Sequence, residues 1–146
     1  MSKPLGMLEN LLGYKFRDIK LLERSVTHRS WAYENLSGEG DAALRGAENE
    51  SFEFVGDSVL GLVIAEELFR RHPENTEGEL TLMKHHLVST GTLATAADRL
   101  SIGEFLRVGK GEEKTGGRKK QALLADALEA IIAAIFFDSG YISARS

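Results

Sequence analysis

No cysteine occurs among the 146 residues, so disulfides, zinc–thiolate sites and a thiol nucleophile are all excluded. Proline is nearly absent, with 2 residues, and aromatic side chains make up 8% of the chain. There is no apolar run long enough to cross a bilayer, and Met1-Ser-Lys-Pro-Leu is not followed by the hydrophobic segment of a signal peptide. An excess of positive charge is also missing. Lys and Arg number 18 against 22 Asp and Glu, a formal net charge of −4, which argues against a polybasic tail. Any nucleic-acid partner must therefore be held by a local basic patch or through bound cations. What remains is 42% hydrophobic and 27% charged, enough for one core, and we expect a soluble, cytoplasmic, single domain over residues 1–146.

The apolar spacing is helical nearly everywhere and no period-2 run stands out, so the expected fold is all-α. Pro4 suits a first turn, Leu8, Leu11 and Leu12 share a face, and Gly13 ends the segment. A second helix starts at Asp18 and uses Leu21, Leu22 and Val26. Leu36 to Glu48 reads as a surface loop. A long helix from about Glu50 to Arg71 ends near Pro73, and Thr76 with Glu79 has capping-box spacing for a helix through Leu87. Thr90 to Leu100 is amphipathic and Gly103 breaks the chain after it. Gly109 to Lys119, glycine-rich and basic, reads as a loop before a helix from Lys120 to Asp138, closed by Gly140. Tyr141 to Ser146 looks like the opening of a further helix.

The central segment from Glu50 is apolar around most of its circumference, as expected of a buried central helix. Yet at 100° per residue Glu50, Glu53 and Asp57 fall within about 60° of one another. The helix from Lys120 repeats the anomaly, because Asp126 and Glu129 are neighbours on one face of Leu123-Leu-Ala-Asp-Ala-Leu-Glu-Ala-Ile-Ile. Small residues accompany both pairs, Gly61 beside Asp57 and Ala130 and Ala133 beside Glu129, and would let the two backbones approach. Buried carboxylates are costly, and crowding them costs more, so something positive must face them. The inference is that Glu53, Asp57, Asp126 and Glu129 converge between the helices. Oxygen ligands without thiolate select a hard divalent cation, Mg²⁺ or Mn²⁺, suited to phosphodiester hydrolysis. Pairing of these acids with surface Lys or Arg is the plainer alternative. A di-iron carboxylate bundle is disfavoured because neither Glu53 nor Glu129 has a histidine three residues on.

Glu50-Ser-Phe-Glu-Phe-Val-Gly-Asp-Ser-Val-Leu closely resembles the signature segment of the ribonuclease III family of double-stranded-RNA endonucleases. Thr27-His-Arg-Ser-Trp-Ala, Glu77-Gly-Glu-Leu, Gly109-Lys-Gly-Glu-Glu-Lys-Thr-Gly-Gly-Arg and Leu124-Ala-Asp-Ala-Leu-Glu-Ala also match, in order. The resemblance implies an all-helical endonuclease domain with Mg²⁺ as cofactor, acting as a homodimer on double-stranded RNA and leaving 5′-phosphate and 3′-hydroxyl ends. It places the metal ligands on Glu53, Asp57, Asp126 and Glu129, with Asp57 and Glu129 catalytic. Glu50 and Glu77 match supporting acidic positions, and Phe54 matches an aromatic that docks on the partner subunit. By geometry alone Phe54 is equally an ordinary core residue. Phe52, Ala122 and Ala133 depart from the residues usual at their positions, and none of them is a ligand. Many members carry a C-terminal double-stranded-RNA-binding domain, and we expect this chain to be the catalytic part of such a protein.

Lys110, Lys114, Arg118, Lys119 and Lys120 form the dense basic cluster, either a contact for RNA phosphates or a solvated loop. His28 reads as a histidine satisfied within the fold more than as a general base. Two rival functions remain, an inactive dimeric RNA-binding scaffold and a helical protein-interaction module. The scaffold should have lost a ligand, and the module predicts no effect of divalent metal on stability.

Overall fold

With almost no proline to interrupt them, the apolar segments close into helices. The computed structural model describes residues 2–146. In order, the helices are α1 (Leu5–Leu12), α2 (Ile19–Ser25), α3 (Arg29–Leu36), α4 (Asp41–Ala47), α5 (Glu50–Arg71), α6 (Glu77–Leu87), α7 (Thr90–Arg99), α8 (Lys110–Lys114), α9 (Gln121–Ser139) and α10 (Tyr141–Arg145). Short 3-10 turns lie at Ser37–Glu39, Ile102–Phe105 and Gly117–Lys119. Among the described residues there is no strand, only an isolated parallel bridge between Thr27 and Arg107.

Helix ends follow their local chemistry. The Asp18 carboxylate accepts from the Lys20 amide at the start of α2. Thr76 and Glu79 form the expected reciprocal capping box on α6. Gly13 ends α1 with φ +70°, a backbone state that suits glycine, and its amide returns to the Glu9 and Asn10 carbonyls.

Two segments read as loops are helical instead. Within Leu36 to Glu48, Ala42, Ala43 and Leu44 are good helix formers, and Ala43 and Leu44 are partly covered. Arg24 closes the end of this helix by donating to the Arg45 and Glu48 carbonyls, both at 2.9 Å. In Gly109 to Lys119, Glu112 and Glu113 occupy the first turn of α8, where the helix dipole favours negative charge. Of the basic residues, Lys110 opens this helix, Lys114 ends it, and Arg118 and Lys119 lie in the 3-10 turn that follows. Helix α3 was not foreseen at all.

The core gathers on α9, which packs most extensively against α5 and then against α7 and α2. Ala127, Ala130, Ala133 and Ala134 are wholly buried on α9, and short side chains there let neighbouring backbones come close. Leu8, Leu22, Val26, Ile102, Phe105 and Ile131 fill the surrounding space. Phe52 is accommodated between the Phe137 ring, 5.1 Å between centroids, and the Arg24 guanidinium, 4.5 Å above its face. Helix α5 is central but covered on one side only. Phe52, Gly56, Val59 and Leu68 are buried, whereas Phe54, Leu62 and Phe69 face outward.

The amino-terminal turn is fastened to the far end of α9. Tyr14 donates from its hydroxyl to Asp138 Oδ2 at 2.6 Å, and the amides of Arg17 and Asp18 donate to the same carboxylate at 2.9 and 3.0 Å.

Candidate active site

Helices α5 and α9 cross at Gly56. A methyl group built on Gly56 would stand 1.7 Å from the carbonyl oxygen of Glu129, so the crossing requires a residue without Cβ. The contact glycine is therefore Gly56 and not Gly61, whose nearest neighbour is the flexible Lys84 ammonium on α6 at 3.4 Å. This approach puts the acidic pairs of the two helices against each other. Carboxylate oxygens of Glu53, Asp126 and Glu129 lie within 4.8 Å of one another. Asp57, one turn beyond Glu53, shares a hydrogen bond with Glu129.

Packed this closely, Glu53 and Glu129 hold their protons above the usual carboxylate range. Burial, then the hydrogen bond and charge of Asp57, push Glu129 up to about 8. Burial and the neighbouring Asp126 push Glu53 up to about 7. Burial also raises Asp126, but Asp126 accepts the hydrogen bond from Glu53, so the shared proton resides on Glu53. A set of oxygen donors that must otherwise bind protons fits a hard divalent cation.

This geometry fixes the sign of a pH effect. A carboxyl whose folded pKa is raised binds protons more tightly in the folded state, so stability falls as pH rises from the unfolded value towards the folded one. Without divalent ions, melting temperature should fall between about pH 4.5 and 8, the window set by Glu53 and Glu129. His28, lowered first by burial, acts in the opposite direction. The part owed to Glu129 is thus the difference between the parent and a Glu129→Gln variant, read by thermal unfolding in chelator. Added Mg²⁺ should raise the melting temperature most at the alkaline end, and a flat difference would contradict the site.

The remaining residues singled out in the sequence fall in different places. Glu50 is exposed, pairs with Arg29 at 3.3 Å and borders the same cleft as Glu53 and Asp126. Glu77 lies in the exposed first turn of α6 and is not among the three grouped carboxylates. Phe54 is 75% exposed, which removes the core reading of it. Arg118 turns inward, its guanidinium donating to the Gly103 and Leu106 carbonyls and to Glu113. The Lys120 ammonium is held by Glu112 at 2.6 Å. Of the basic cluster, Lys110, Lys114 and Lys119 are therefore the outward members. Glu112 and His28 also border the acidic cleft. Sequence reasoning gave neither a place there, although both lie inside segments it had singled out.

Residues 18–146 match the model of the family described as Ribonuclease-III-like. Ribonuclease 3 of Solibacter usitatus is 50% identical over 146 residues, which cover 100% of this chain and 54% of that protein. Ribonuclease 3 of Nitratidesulfovibrio vulgaris is 46% identical over 143 residues, 98% of this chain and 54% of that one. The chain thus spans about half the length of the curated relatives it matches. Among solved structures, a nuclease domain of ribonuclease III from Campylobacter jejuni, described for flexibility in a region involved in dimer formation, superposes with a TM-score of 0.87. It is 37% identical, with 97% of this chain and 91% of that one covered. A second structure of that nuclease domain gives a TM-score of 0.86 at 37% identity, covering 98% of this chain and 89% of that one. Agreeing with these relatives along its whole length, and folding as their nuclease domain does, the chain belongs to the ribonuclease-III-like family.

Proposed function

We propose that residues 1–146 form the catalytic domain of a Mg²⁺-dependent endoribonuclease, cytoplasmic, that hydrolyses double-stranded RNA to 5′-phosphate and 3′-hydroxyl ends during the processing of RNA precursors. The observation that carries this reading is the convergence of Glu53, Asp126 and Glu129, joined by Asp57, at the crossing of α5 and α9. Bound there, Mg²⁺, or Mn²⁺ in its place, supplies Lewis-acid polarisation of a phosphoryl oxygen and lowers the pKa of water.

The chain's own groups have separable roles. Asp57 and Glu129 sit at the centre of the reaction, and Glu53 and Asp126 complete the ligand set. Glu50, at the rim of the cleft, supports the binding of cation or substrate, and Glu77, on the exposed first turn of α6, is given the same supporting role. The outward Lys110, Lys114 and Lys119 offer charge to the phosphates of an A-form duplex, which is read by shape and backbone more than by sequence.

Dimerisation follows from the uncovered side of α5. Phe54, Leu62 and Phe69 fall within about 80° of one another round the helix and are 75%, 57% and 70% exposed. An apolar stripe of this kind, beside the acidic crossing, suits a second copy of the chain. Two copies would place two cleavage centres on one duplex.

The test is incubation of end-labelled double-stranded RNA, single-stranded RNA and double-stranded DNA with the protein, with and without Mg²⁺. Mg²⁺-dependent cleavage confined to the RNA duplex is the expected result. Absence of cleavage at low salt, with the protein folded, overturns the reading.

A further inference from the structure

His28 lies between two adjoining clefts. One is the acidic cleft bordered by Glu53, Glu112 and Asp126, and the other runs along α3 to Gly109 and Gly111. Its backbone is fixed, with the amide donating to the Arg107 carbonyl at 2.9 Å beside the Thr27 bridge. Its ring is fixed as well. Nδ1 accepts from the Ser30 amide at 3.1 Å and lies 2.7 Å from Ser30 Oγ. That hydroxyl oxygen in turn accepts from the Gly109 amide at 2.8 Å.

The direction of this chain of hydrogen bonds decides the tautomer. The Ser30 amide can only donate, so Nδ1 is its acceptor, and the Ser30 hydroxyl, whose oxygen accepts from the Gly109 amide, turns its hydrogen to Nδ1 as well. Nδ1 then receives two donors and carries no proton, so the neutral ring keeps its hydrogen on Nε2. Burial favours that neutral form. Nε2 has no hydrogen-bond partner among the described residues.

The other donors bordering the acidic cleft are differently placed, since Arg29 is an exposed side chain that meets Glu50 through one nitrogen. The Asn49 side-chain amide is turned away, donating to the Ser25 carbonyl at 2.9 Å. A neutral donor is also the chemically suitable one here. A lysine or arginine would compete with a divalent cation for the carboxylates, whereas a neutral N–H binds an anionic oxygen without repelling the cation.

Resting on the function proposed above, we infer that His28, locked by Ser30 and Gly109, is a positioning residue. Its Nε2–H holds a non-bridging phosphate oxygen of the RNA strand entering the acidic cleft.

Two variants test this in the full chain. Asparagine caps helices as well as any residue, so His28→Asn preserves the start of α3 but withdraws the donor. His28→Gln returns an N–H at about the reach of Nε2. With labelled RNA duplex and Mg²⁺, His28→Asn should lower kcat/KM by about 10- to 100-fold, mostly through KM, at unchanged melting temperature. His28→Gln should recover several-fold of that loss. Parent-like KM in His28→Asn overturns the assignment while leaving the proposed function standing. Equal losses in both variants also overturn it, since they would mean that ring packing is what matters. A parent protein that does not cleave the duplex removes the proposed function, and this assignment with it.

Discussion

Replacing Glu129 with glutamine should reduce cleavage of double-stranded RNA by about a thousandfold or more, without weakening the metal-free fold. Glutamine keeps the volume of this buried side chain but removes its charge. In the metal-free protein this costs little, because Glu129 is already held protonated up to about 8 by burial and by Asp57. A neutral amide donates to Asp57 without needing to borrow a proton. In the cation-loaded protein the same change withdraws a negative ligand from the crossing of α5 and α9. Stability and activity should therefore move apart, with the melting temperature in chelator at pH 8 equal to or above that of the parent. Single-turnover cleavage and thermal unfolding, run on the same preparation, check both halves. A variant with parent-like cleavage would show that Glu129 is a core residue and not a ligand.

The second large effect is expected at Gly56. Alanine there would direct a methyl group to 1.7 Å from a backbone oxygen of α9, which cannot swing aside as a side chain can. One helix must move. Overpacking of this kind costs about 3 kcal/mol or more, since backbone and not a side-chain tip has to yield. For a chain of this size that corresponds to a fall of about 6–12 °C in melting temperature. Activity should drop further than stability, because separating the helices also separates Glu53 from Asp126. Gly61→Ala is the matched control, since its nearest neighbour is the end of Lys84. It should leave the melting temperature within about 2 °C of the parent. Similar losses in both variants would show that helix propensity and not the crossing distance is being measured.

The long helices and their caps were legible in the sequence because their signals are local. Asp18, Thr76 with Glu79, and Gly13 each act within a turn of their own position. The acidic site was legible for a related reason, since carboxylates at helical spacing in apolar segments conflict with burial unless something compensates them. What could not be read were features decided across the chain. Helix α4 depends on Arg24, more than a turn of helix away in another element, to close its carbonyls. The inward course of Arg118 depends on carbonyls at Gly103 and Leu106. Choosing Gly56 over Gly61 needed the rotation of α5 against α9, which periodicity alone leaves open. His28 was read as satisfied within its fold. That holds for Nδ1, whereas the place of the ring beside the acidic cleft depends on where the Gly109 segment returns.

The carboxylate of Asp138 ties the start of the fold to residues made much later. During synthesis Tyr14 and the amides of Arg17 and Asp18 leave the ribosome well before their acceptor exists. At about 5–20 residues per second the interval to Asp138 is about 6–25 s. Helix α9, against which α2, α5 and α7 pack, is made in the last part of that interval. Until then the faces of α2, α5 and α7 that α9 covers stay open. Asp126 and Glu129 arrive on the same late helix as the core alanines. The acidic cluster therefore cannot be complete before the helix that closes the core has been made.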